Sequence, residues 1–120
     1  MLSVRKRKTR GGFRLPAEAY AVLDEVAPGA SFGEGGCWLF ARAVQILDGG
    51  VLYALVSHQV EHVVLAIDGR FVDIDGQWTA LEILRRYQPF GLLRLGWLGL
   101  GDIPHDEQAA QALAHVLRPR

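Results

Sequence analysis

Gly33-Glu34-Gly35-Gly36-Cys37-Trp38-Leu39-Phe40-Ala41-Arg42-Ala43-Val44 contains the one cysteine of a 120-residue chain. Gly35 and Gly36 can take backbone conformations closed to other residues. After them, Cys37, Phe40, Ala41 and Val44 recur at the spacing of one helix face. The pattern predicts a helix whose first turn carries Cys37 on the side turned toward the rest of the protein. Unpaired backbone N–H groups and the positive end of the helix dipole lie at such a turn, and both favour a thiolate over a thiol. A lone helical cysteine is ordinarily a small buried hydrophobe, so its meaning depends on what the rest of the chain brings to it.

Downstream, His62-Val63-Val64-Leu65-Ala66-Ile67-Asp68-Gly69-Arg70-Phe71-Val72-Asp73-Ile74-Asp75-Gly76 reads as two short strands joined at Asp68-Gly69, a strong hairpin signal. With those two residues as the loop, Ile67 pairs with Arg70. Continued pairing then sets His62 directly opposite Asp75, with Asp73 diagonal on the same face. The other face carries Val63, Leu65, Ile67, Val72 and Ile74, an apolar set suited to pack on the Cys37 helix. A histidine and a carboxylate therefore share a hairpin face downstream of a cysteine at a helix start.

This order resembles that of the papain-like cysteine peptidase superfamily: a Cys at the start of a helix, a His opening one strand and an Asp or Asn on the next. Cys37-Trp38-Leu39-Phe40 also resembles the Cys-Trp-x-Phe run around the papain-type nucleophile, and Asp73-x-x-Gly76 resembles the family's Asn-x-x-Gly. The resemblance covers residues 31–76. It implies an α+β, compact papain-like fold with N-terminal helices packed on a small antiparallel sheet and a C-terminal helix. It also implies Cys37 as nucleophile, His62 as base and Asp73 or Asp75 as the orienting carboxylate. Register favours Asp75, the Asp-x-x-Gly match favours Asp73, and one bulge would reverse the register argument. Where papain-type enzymes carry an oxyanion-binding Gln, this chain has Ser31. Ser31, Gly36 and Trp38 are thus the oxyanion and substrate-binding candidates.

The implied activity is that of a thiol hydrolase acting on a peptide or side-chain amide: a peptidase, amidase or deamidase, or a transglutaminase-like transferase if an amine resolves the thioester. The alternative is a papain-like domain that works as a protein-binding module or accessory subunit.

The length suits a single domain. No apolar run approaches the roughly 18 to 20 residues of a membrane span, and no secretory signal is recognisable, so a cytoplasmic protein without membrane contact is expected. One cysteine excludes an internal disulfide. Without a Cys/His cluster of zinc spacing, neither a metal nor another cofactor is expected. Residues 1–14 hold six of the thirteen Lys and Arg residues and no acid. Seven cations against thirteen acids leave residues 15–120 at a net charge of −6. The reading is a basic, flexible arm over 1–14 and a domain over 15–120. Without interleaved aromatics or a recognisable binding motif, nucleic acid is not an expected partner.

The remaining elements follow from local signals. Pro16 opens a helix to Val26, Asp48-Gly49-Gly50 stops the Cys37 helix, and Val51–Val56 is a strand neighbouring the hairpin. Gln77-Trp78 lead into a helix over Thr79–Tyr87, and Asp106–Leu117 forms a terminal helix. The glycine-broken apolar segment 90–101 is an extra strand, a core-filling loop or a protein-partner surface, with Trp97 read as core. His58 sits in a polar turn, Asp68 belongs to the hairpin loop, and His105 and His115 are surface or capping residues.

Overall fold

The computed structural model describes residues 12–88, 93–103 and 106–118. The chain is α+β. In order it runs α1 (Ala17–Val26), α2 (Cys37–Asp48), β1 (Val51–Val56), β2 (Val60–Ile67), β3 (Arg70–Asp73), β4 (Gly76–Trp78), α3 (Ala80–Arg86), β5 (Arg94–Trp97), a 3-10 turn over Leu100–Asp102 and α4 (Glu107–Leu117). The five strands form one sheet in the order β4-β3-β2-β1-β5, every neighbouring pair antiparallel.

The Asp68-Gly69 loop forms as read, with φ of 50° and 77°, the double positive that a two-residue turn of this hand requires. Ile67 pairs with Arg70, Ala66 with Phe71 and Leu65 with Val72. There the ladder ends. Ile74-Asp75 make a second tight turn, and β4 returns along β3 with Asp73 opposite Gly76.

The sheet separates two apolar layers. Val63, Leu65, Ile67 and Val72 face α1, α2 and α4 and join Leu39, Phe40, Val44 and Leu113 in the main core. Leu55 and Val64 face the other way and pack with Ile83 of α3. A capping box closes the start of α3: Thr79 Oγ1 accepts from Glu82 N, and Glu82 Oε1 accepts from Thr79 N. Asp106 caps α4 by accepting from Ala109 N.

Two expectations change and one open reading closes. Phe13, counted with the arm, is buried against Phe40 and donates its N–H to Ile74 O, so the packed body extends back to it. The 90–101 segment supplies β5 on β1 and the buried Leu98; Phe90–Leu92 and His105 fall outside the described residues. Trp97 is 69% exposed on the edge strand rather than core, because it lies next to Tyr53 in register at the open side of the sheet. Among the described residues no helix is long and apolar enough to cross a membrane.

Candidate active site

Cys37 is the first residue of α2. The loop before it is held by its own backbone, with Ser31 N on Glu34 O and Gly36 N on Ser31 O. The indole of Trp38 donates to Gly35 O at 3.1 Å. The two glycines serve different ends. Gly35 has φ of 87°, which side chains rarely adopt. Gly36 has an ordinary φ of −112°, but a Cβ there would lie 2.5 Å from Leu23 Cδ1 and 2.7 Å from Ser31 O. Its role is close approach: the loop can seat α2 against α1 only if that position carries no side chain.

The early end of β3 admits the sulfur. In an antiparallel ladder alternate residues present their N–H groups to the same neighbour, so Ile67, Leu65 and Val63 all address the β3 side of β2. Ile67 and Leu65 have partners there, whereas Val63 faces the place β3 has left. Cys37 Sγ occupies it and accepts the Val63 N–H at 3.3 Å. The hydrogen-bonding demand of an interrupted strand edge is met by the thiol.

His62, 1% exposed, donates its Nε2–H to Asp73 Oδ2 at 3.0 Å, which leaves Nδ1 as the ring atom for the sulfur. Tyr87, just past α3, stacks on the imidazole at 4.4 Å between centroids. Asp73, 2% exposed, is held on its other oxygen by Trp78 Nε1 at 3.0 Å and Asp75 N at 2.9 Å. Both carboxylate oxygens are therefore engaged, and its position is fixed from three sides.

The electrostatics form one coupled set. Burial pushes the Cys37 thiol up, but the hydrogen bond and charge of His62, with the N–H groups of Val63 and Trp38, outweigh it and hold the thiol below its ordinary value. Burial likewise works against the imidazolium. Hydrogen bonds to Asp73 and Cys37 and the charges on both nonetheless raise His62 to about 9. Asp73 is kept below the usual carboxylate range, burial being overcome by the bonds from His62 and Trp78. All three directions favour a thiolate beside an imidazolium beside a carboxylate.

The structure brings together Cys37, His62 and Asp73, and sets Asp75 apart. Asp75 is in the β3–β4 turn, half-exposed and paired with Arg86 at 3.3 Å; the expected register facing it to His62 fails because pairing stops at Leu65 and Val72. Ser31 is exposed, and its Oγ accepts from Glu34 N. The Gly36 N–H is committed to Ser31 O, and neither Ser31 nor Gly36 is among the residues lining the cleft beside Cys37. Trp38 does line the cleft beside Cys37. In α2 the first intrahelical N–H bond is that of Leu39 to Gly36 O, so the N–H groups of Cys37 and Trp38 precede the helical ladder. His58 and His115 are exposed, and neither approaches the site. Among the described residues no group of three His, Cys, Asp or Glu could hold a metal ion.

Trp78 and Tyr87 were not singled out from sequence. Reading Ile74-Asp75 as a second two-residue turn would have placed Trp78 beside Phe71, next to the carboxylate. Tyr87 carried no local signal, since its stacking depends on how α3 lies across the sheet. The cleft, of about 400 Å³, is completed by the β1–β2 connection and by the turn before α4, through residues such as Gln59, Val60, Asp102 and Ile103. Compared with known proteins, the chain matches no family model, no curated protein and no solved structure.

Proposed function

We propose that the protein is a thiol hydrolase that cleaves a peptide or side-chain amide through a thioester on Cys37. The observation that carries the reading is that His62 bonds a buried, triply held carboxylate while sharing its other side with a sulfur at a helix start. Each partner has a distinct chemical task. Asp73 fixes the ring orientation and stabilises the imidazolium. The Cys37 thiolate attacks the amide carbonyl, and the N–H groups of Cys37 and Trp38 stabilise the oxyanion. As the C–N bond breaks, His62 gives its proton to the departing amine. Water then attacks the thioester, losing a proton to His62, and the acid leaves as Cys37 returns to the thiolate. An amine in place of that water would make the same site an acyl transferase. The cleft leaves room for a substrate beside the sulfur.

The test is the pH dependence of Cys37 alkylation by iodoacetamide in the wild type and in His62→Ala, with folding followed by circular dichroism. The expected result is a wild-type apparent pKa well below the ordinary thiol value of about 8.5, rising in the folded variant. A wild-type thiol that is inert or titrates normally overturns the reading.

A further inference from the structure

We infer that the cleft selects a Lys or Arg side chain next to the amide it attacks; this rests on Cys37 being the nucleophile. Two carboxylates from separate elements, Glu61 and Asp102, line the same cleft as Cys37, and among the described residues no Lys or Arg does. Glu61 owes its position to a bulge: Leu55 pairs with His62 and Val56 with Val60, so Glu61 is the extra residue of β2. Bulges turn a side chain out of the alternation of the strand. Its Oε1 is then held by Ser57 Oγ at 2.8 Å. Asp102, at the end of the 3-10 turn, is held through Oδ2 by Gly99 N at 2.9 Å.

Both carboxylates are thus oriented by neutral donors, and among the described residues neither has a cationic partner. The imidazolium is balanced by the Asp73 carboxylate beside it, so the site carries no net positive charge and the two acids set the sign of the field across the opening. Low-dielectric walls concentrate such a field, and the net charge of −6 over residues 15–120 has the same sign. Trp38, Val60 and Ile103 supply apolar surface in the same cleft. Apolar walls with anionic ends match the two parts of a long cationic side chain, an aliphatic stem and a charged head.

The experiment measures the rate at which three peptidyl chloromethyl ketones, identical but for Lys, Leu or Glu next to the reactive group, alkylate Cys37 at neutral pH. Iodoacetamide serves as an uncharged reference. The expected order is Lys over Leu over Glu, with about tenfold or more between the extremes. That ratio should collapse toward one in Glu61→Gln/Asp102→Asn, whose amides keep an acceptor for Ser57 and Gly99. Equal rates for the three reagents, a preference for Glu, or a Lys preference that survives the double variant would overturn the inference. Failure of all four reagents to label Cys37 would instead remove the nucleophile reading, and this inference with it.

Discussion

The two faces of the sheet are built on different terms. The face toward α1, α2 and α4 is closed mainly by apolar side chains, with Phe40 at its centre against the rings of Phe13 and Phe32 and the buried Gln77, bonded to Arg70, at its margin beside Val72. The face toward α3 is smaller, and at one end apolar packing gives way to His62, Asp73, Trp78 and Tyr87. Cys37 comes from the helix layer of the first face and reaches the histidine of the second where β3 has turned away. The site therefore lies at a seam: one layer supplies the nucleophile and the stability, the other the buried acid-base pair. Burying such a pair costs desolvation that the bonds around it must offset.

That division can be broken at four points. Phe40→Ala should cost about 4 kcal/mol in denaturant unfolding, as removal of a large buried ring does, while the folded fraction keeps the wild-type alkylation profile. A shifted profile would mean the layers are not separable. Asp73→Ala removes one member of a buried pair and should cost about 3 kcal/mol. Unlike the core substitution, it should also raise the apparent pKa of Cys37, because His62 loses the carboxylate that holds it protonated. A stability loss with no change in the thiol would make Asp73 a packing residue.

The third point is pH. His62, raised from 6.5 to about 9 on folding, contributes stability that is full below 6.5 and is lost as pH rises through 9. Cys37, lowered from 9.0, contributes the opposite: stability full above 9.0 and lost as pH falls through its folded value. Above both 6.5 and the folded value of Cys37, and up to 9.0, the two trends offset each other, since the folded pair and the unfolded pair then each hold one proton. Unfolding free energy should therefore be nearly level across that window in the wild type, and should decline with rising pH in Cys37→Ala, where only the histidine remains. A level profile in the variant would show that Asp73 without the sulfur does not keep His62 charged in the folded state.

The smallest effect distinguishes two aspartates two residues apart. Asp75→Asn removes a half-exposed ion pair with Arg86, for which about 0.5 kcal/mol or less is expected, and the alkylation profile should not move. A rise in the thiol pKa comparable to that of Asp73→Ala would return Asp75 to the site.

Much of this was legible because it is local. Apolar spacing placed α2 with Cys37 at its start, and Asp68-Gly69 placed the hairpin with its loop and first pair. Pro16, Thr79 and Asp106 marked helix starts within a residue of where they occur. Candidate site residues were harder. His62 could be preferred to His58 by strand position, but extending the register to Asp75 assumed a ladder that continues, and nothing local says where a strand stops pairing. Ser31 was proposed from a spacing whose loop spends its hydrogen bonds on itself.

By itself, the sequence determined the succession α1, α2, β1, β2, β3, α3 and α4, the α+β class and a cysteine at a helix start, because helix periodicity, caps and two-residue turns are short-range physics; β4 was not read and β5 was left open. Only the tertiary structure decided that β3 ends at Asp73, that the freed Val63 N–H goes to the sulfur and that Trp78 and Tyr87 enclose the acid-base pair. It also decided that Glu61 and Asp102 share one cleft. Those outcomes depend on which distant surfaces pack together and on which buried polar groups must then find partners.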